Sequence, residues 1–198
     1  MAVGKIWGEI VRDIADSAVV PFSVTDMAEY MNVSWHQVRQ DILAENTTET
    51  PYDFGPEIDF DGMNLAIGEF EKSAQAFDDD AKQAATDGRQ KSDLLMRQLN
   101  DKLIKLDRMF VLPEGLPGRP LYRHVLHAPS KSNAYGGASF PGIVDCVASV
   151  LQARKKNDQS EELKWLNELK LHSTKVIQLI DRAARFLSPT FSGLYQSP

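Results

Sequence analysis

The chain of 198 residues carries 22 Lys and Arg against 28 Asp and Glu, a formal net charge of −6, with 42% hydrophobic and 25% charged residues. That length suits one domain or at most two small ones, and the composition is that of a globular protein with a sizeable core rather than a disordered chain. The acidic balance, with no clustered excess of Lys and Arg, excludes an electrostatic nucleic-acid binder, and no run approaches the roughly 18 apolar residues of a membrane span.

Met1-Ala2 leads almost at once into a helical pattern, without a signal-peptide core. Such a start fits a small cytosolic protein, or a piece of a longer chain whose targeting segments lie elsewhere. From Lys5 to Val19, the apolar residues Ile6, Trp7, Ile10, Val11, Ile14 and Ala18 recur every three or four positions and form one stripe on a helix, which Pro21 stops. Ser23-Val24-Thr25-Asp26 resembles a capping box, and Met27, Tyr30, Met31, Val38 and Ile42 carry a second helix to about Leu43. The stretch from Asn46 to Pro56 has no sustained period and is expected to connect.

A long amphipathic helix is predicted from Asp61 to Thr86 on Leu65, Phe70, Ala74, Phe77, Ala81 and Ala84. After Gly88, a further helix runs through Leu94, Leu95, Leu99, Leu103, Leu106 and Phe110, and two long helices joined by a short turn should pack antiparallel. Periodicity then disappears from Leu112 to Ser139, where Pro and Gly cluster around Leu121, Tyr122, Val125, Leu126 and Tyr135. A loop of that length and composition is expected to be ordered and laid over the helices. Pro141 suits a first helical turn, with Ile143, Val144, Val147, Val150 and Leu151 following to about Arg154. Asp158 and Glu161 then cap a last helix bearing Leu163, Trp165, Leu166, Leu169, Val176, Ile177, Leu179, Ile180 and Phe186. The fold class is all-α: a bundle of five to six helices forming one domain over residues 1–198, with one long ordered loop at 112–139.

Residues with catalytic potential form no recognisable site. None of His36, His124, His127 and His172 stands in a zinc-ligand spacing, so no metal is expected in this chain. His124 and His127 are expected to hydrogen-bond to loop backbone. Ser130, Ser132, Ser139, His124 and Asp145 lie near one another in sequence, but the Gly-x-Ser-x-Gly turn is missing, and the serines are expected to serve turns and caps. Asp78-Asp79-Asp80 lacks the other features of a calcium loop and is expected on a solvated helix face. Cys146, the single cysteine, is expected to be a buried spectator. Asn32-Val33-Ser34 and Asn46-Thr47-Thr48 fit the glycosylation pattern and permit a secretory route. In the loop, Arg119, Arg123 and His124 can offer charged donors, with Asn133 and Tyr135 beside Gly136-Gly137, a group able to hold a carboxylate. The alternative, favoured here, is that the arginines bond loop carbonyls and helix C-termini.

The run from Gly115 to Val125 reads Gly-Leu-Pro-Gly-Arg-Pro-Leu-Tyr-Arg-His-Val. Ala128-Pro129-Ser130, Asn133-Ala134-Tyr135-Gly136-Gly137 and Ser139-Phe140-Pro141-Gly142-Ile143 follow it, and Val20-Pro21-Phe22, Leu99 to Leu103 and Asp107 to Phe110 lie upstream. Together these closely resemble the C-terminal helical domain of the glutamate carboxypeptidase II family, the prostate-specific membrane antigen relatives, which is also the dimerisation domain of transferrin receptors. The resemblance covers nearly the whole chain and is closer to the peptidase branch. It implies a domain that is not catalytic alone: it forms a homodimer, and its loop helps close the substrate pocket of a peptidase domain in the parent chain. Zinc, the cofactor, belongs to that peptidase domain, so none is implied in this chain. In the family's Asn-Lys-Tyr pocket motif, Asn133 and Tyr135 match and Ala134 stands at the lysine, which leaves no ammonium for a glutamate carboxylate. Arg119, Arg123 and His124 are then loop support. The resemblance also implies a secretory-route parent, as a membrane-anchored ectodomain or a vacuolar or extracellular protein, with no membrane contact by this domain. A protein-interaction module of a receptor-like relative lacking peptidase activity is the alternative.

Overall fold

The computed structural model describes residues 2–45, 52–86, 93–131 and 137–188. They form six α-helices: α1 (Ala2–Asp16), α2 (Val24–Ala44), α3 (Phe60–Thr86), α4 (Asp93–Leu106), α5 (Pro141–Lys155) and α6 (Gln159–Leu187). A 3-10 turn, Asp107–Phe110, extends α4, and two short strands, β1 (His127–Pro129) and β2 (Gly137–Ser139), pair antiparallel with His127 opposite Ser139. The all-α reading holds, and the strands are an addition that periodicity did not suggest. No helix among the described residues is long and apolar enough to cross a membrane.

The core is one cluster built on α3 and α6, with α2 packed on α3 and α5 on α6. Met63, Ile67, Phe70, Ala74 and Phe77 of α3 are buried at helical spacing, and α6 contributes Leu169, Val176, Ile180, Ala183 and Leu187. Leu65, expected on the buried stripe, is exposed instead. At about 100° per residue it sits roughly 200° around the helix from both Met63 and Ile67, on the opposite face. Tyr30, Leu94, Val144 and Leu163 are likewise exposed.

Trp35, absent from the apolar pattern expected of α2, is fully buried at the centre of one end of the bundle. Its ring lies 5.9 Å from Phe60 and 5.3 Å from Phe140, and its indole N–H donates to Asn64 Oδ1 at 2.9 Å. The capping residues predicted for α2 and α6 are in place: Ser23 accepts from the Asp26 N–H and Asp158 from the Glu161 N–H.

The expectation for Asp78 is corrected. Asp79 and Asp80 are exposed, but Asp78 is buried and reaches from α3 to the start of α2. Its carboxylate accepts from the backbone N–H groups of Val24 and Thr25, both at 3.0 Å, and from the hydroxyls of Thr25 and Ser23. A negative charge at a helix N-terminus, satisfied by several donors, is a favourable burial. Lys102 of α4 donates to the carbonyls at the end of α6, that of Leu187 at 3.3 Å and that of its cap residue Ser188 at 2.8 Å. Cys146 is buried, and burial pushes its thiol up to about 12, which fits an inert spectator.

α1 differs from the others. Ile6, Trp7, Ile10, Val11 and Ile14 of the expected stripe are joined by Val3, while Ala18 lies beyond the end of the helix at Asp16, yet all six of these apolar side chains on α1 are exposed, Trp7 by 63%. The following segment is tied to α4, where Asn100 accepts from the Val20 N–H at 2.8 Å and donates to the Ala18 carbonyl at 3.0 Å. The helix is therefore anchored at its exit while its apolar side faces solvent.

Candidate functional site

The loop between the 3-10 turn and α5 is held by a ladder of main-chain bonds. Leu112 N–H donates to Arg123, Leu116 N–H to Tyr122, and Val125 N–H to Phe110, at 2.7–2.9 Å. Two glycines make the turns available. Gly115 has φ +82° and a Cβ there would run into the Pro120 carbonyl, while Gly118, at φ +68°, faces the Trp165 ring of α6. Leu112, Leu116, Val125 and Leu126 point into the core, whereas Leu121 and Tyr122 remain exposed. The described residues of the loop thus pack on the helical core through Leu112, Leu116, Val125 and Leu126.

Arg119 fixes the loop to α5. Its Nη2 lies 2.6 Å from Asp145 Oδ2, with side-chain exposures of 11% and 9%, so the pair is largely removed from water. Nη1 donates to the Pro129 carbonyl at 2.7 Å, and the guanidinium stands 5.0 Å from the Tyr122 ring centre. Of the two roles weighed for this arginine, bonding a loop carbonyl is the one present, joined by an ion pair to Asp145, which the sequence had set beside His124 and the loop serines rather than beside Arg119. Arg123 is exposed, and its carbonyl takes part in the ladder. Beyond β2, Phe140 N–H donates to the Leu126 carbonyl, and the Phe140 backbone turns left-handed, at φ +47°, immediately before Pro141 starts α5. Ser139 Oγ lies 3.0 Å from the Tyr30 hydroxyl and donates to Ser34 Oγ at 3.2 Å, which ties β2 to α2. With Asp145 held by Arg119, the structure assembles no Ser-His-Asp arrangement from His124, Ser139 and Asp145.

His124 sits at the base of the loop. Its Nε2 is 3.2 Å from Asp107 Oδ1, its Nδ1 accepts from the Leu126 N–H at 3.3 Å, and its ring stacks on His127 with centroids 3.7 Å apart. Burial first, and His127 second, hold its pKa below the usual histidine value, against the pull of Asp107. The expected backbone bond of His124 is present. Asp107, seventeen positions away, is a partner that sequence spacing gave no reason to name. The substrate-binding residues implied by the resemblance, Asn133, Ala134 and Tyr135, lie outside the described residues.

Under the loop, Glu114 meets Lys175 of α6 at 2.6 Å beside an open cavity that His172 also lines. His172 is buried, and its Nε2, packed against Gly142 of α5, has no hydrogen-bond partner among the described residues. Burial, helped by Lys175, pushes its pKa down to about 4. In the unfolded chain it would titrate near 6.5, so acid favours unfolding: the stability that neutral His172 supplies is complete above about pH 6.5 and is lost as pH falls towards 4. The expected contribution is about 3 kcal/mol over that window. Urea unfolding at neutral and acidic pH should show the wild type losing about that much more stability than His172→Leu. Equal losses would contradict the assignment.

Comparison with known proteins places this architecture. The family model described as "Transferrin receptor-like dimerisation domain" matches residues 58–188. The probable glutamate carboxypeptidase LAMP1 of Arabidopsis thaliana is 27% identical over 84% of this chain and 21% of its own length. The probable glutamate carboxypeptidase VP8 of Zea mays is 27% identical over 97% of this chain and 24% of its own. The aminopeptidase NAALADL1 of Mus musculus is 27% identical over 95% of this chain and 23% of its own. The chain thus spans about a fifth to a quarter of the length of these relatives, in their C-terminal part. With most of its length matched by that family model, and with the ordered loop and helical bundle in place, the chain belongs to the transferrin receptor-like dimerisation domain family.

Proposed function

We propose that this chain is the non-catalytic homodimerisation part of a glutamate carboxypeptidase-like zinc peptidase, and that its loop completes the substrate pocket of a peptidase domain in the parent polypeptide. The observation that carries the proposal is α1. It lies ahead of the region matched to the dimerisation family, yet the likeness to relatives named as peptidases extends over nearly the whole chain. Its six apolar side chains are exposed. A helix of 15 residues is marginal in water without tertiary cover, so the stripe is a surface for a neighbouring domain, and the peptidase domain is the neighbour we assign to it.

In this arrangement Arg119, Arg123 and His124 support the loop, and Asn133 and Tyr135 reach the substrate. Tyr135 offers a phenol to a terminal carboxylate. Ala134, at the family's lysine position, offers no charge, so the parent is expected to favour a C-terminal residue other than glutamate. Zinc would supply the hydrolytic water in the peptidase domain. The group of three metal-ligating side chains among the described residues, Asp107, His124 and His127, has fewer donors than a two-zinc centre, and in this reading the catalytic steps belong to the peptidase domain.

The test uses the parent protein. Tyr135→Phe should raise KM with kcat little changed, as expected when binding rather than chemistry is lost, and Ala134→Lys should shift preference towards acidic C-terminal residues. Unchanged KM and preference in both variants would remove the pocket role. A parent without peptidase activity would favour the receptor-like alternative.

A further inference from the structure

We propose that Asp107, His124 and His127 form a binding site for a single divalent transition-metal ion of the zinc, cobalt or nickel kind, clipping the base of the loop to the end of α4. One ligand atom from each residue lies within 4.8 Å of the others. His124 Nε2 and Asp107 Oδ1 are already 3.2 Å apart, close to the roughly 3.3 Å that separates two ligands of a tetrahedral ion with bonds of about 2.0–2.1 Å. The third donor belongs to an exposed side chain, His127, which can close the remaining gap by rotation.

The main chain holds the three residues together without an ion. Asp107 opens the 3-10 turn that ends at Phe110, and Val125 N–H donates to the Phe110 carbonyl at 2.9 Å. Val111 bridges to His124, and His127 begins β1, paired to Ser139. His124 and His127 lie side by side with ring centroids 3.7 Å apart, so a turn of the exposed His127 ring out of the stack brings its nitrogen towards an ion held by His124 and Asp107. Two imidazoles and a carboxylate suit a borderline transition ion over calcium or magnesium, which prefer oxygen cages. Asp107 and His127 are exposed, which leaves the remaining coordination position to water.

The protons balance. Because a backbone N–H can only donate, His124 Nδ1 is the acceptor from Leu126 and the ring proton resides on Nε2, where it faces Asp107. An ion taking Nε2 moves that proton to Nδ1. The 3.3 Å Leu126 contact, a long one, is given up in exchange for the metal bond.

The experiment titrates the tag-free chain with Co2+, followed by its visible d–d bands, and then with Zn2+ by calorimetry and thermal melting. The expected result is one ion per chain, with Zn2+ displacing Co2+. At a hundredfold excess over Kd, Zn2+ should raise Tm by roughly 5–10 °C. Asp107→Asn and His127→Asn, both at exposed positions and checked for folding by circular dichroism, should each weaken binding by roughly tenfold or more. His36→Asn, on the exposed side of α2, should leave it unchanged. The proposal is overturned if the wild type takes up no stoichiometric ion, if both site variants bind as the wild type does, or if His36→Asn abolishes uptake.

Discussion

Arg119→Met is expected to lower the unfolding free energy by about 3–5 kcal/mol, because it leaves the Asp145 carboxylate buried and unpaired. The pair is nearly closed to solvent at 2.6 Å, and the same guanidinium holds the Pro129 carbonyl, so the loop and α5 separate together. Adding Asp145→Leu in the same chain should recover most of the loss, since removing both charges also removes the desolvation cost. Denaturant unfolding of the wild type, the two single variants and the double variant gives the coupling energy directly. A loss under about 1 kcal/mol in Arg119→Met would mean that the pair is screened as a surface bridge is. Loss of the loop's position should also appear in a parent peptidase as a rise in KM, which links this energy to the proposed pocket role.

Trp35→Ala is the second large effect, also about 3–5 kcal/mol, from lost transfer energy and the cavity left in a packed interior. Trp35 joins α2 to Phe60 at the start of α3 and to Phe140, the left-handed residue before α5. A bulky side chain at φ +47° is strained by about 1–3 kcal/mol, and its packing on Trp35 is what keeps it there. The Phe140 amide, bonded to the Leu126 carbonyl, should therefore exchange with solvent faster in Trp35→Ala than the amides at the centre of α6. Uniform acceleration across the chain would show that Trp35 supports the whole fold without any special hold on the loop.

Helices, caps and the turns of the loop were legible because they are local. A three- to four-residue period marks a helix, Ser23 and Asp158 mark its start, and Gly115 and Gly118 mark turns. Which side of a helix is covered is less local. Leu65 satisfies an apolar count and still faces solvent, while Trp35 stood outside the apolar stripe and lies at the centre of packing. Partners far apart in sequence were not legible at all: Asp78 caps a helix 54 positions earlier, Asp145 neutralises Arg119, and Asp107 meets His124. No periodicity encodes such meetings, because they follow from how α2, α3 and α5 come together. The α1 stripe is a different case: its amphipathic pattern was plain, but a pattern states that a face is apolar without saying what covers it. The resemblance that names the dimerisation family rests on the loop motif, and the residues of that motif with described positions hold the loop on the bundle.

Self-association is the property the family implies for this chain, and sedimentation equilibrium of the isolated 198-residue protein over a wide concentration range tests it most directly. A monomer of 22.1 kDa should give way to a particle of twice that mass as concentration rises, and no larger species should follow, because a two-fold contact closes on itself. A mass that stays at the monomer value at the highest concentration would contradict dimerisation by this chain.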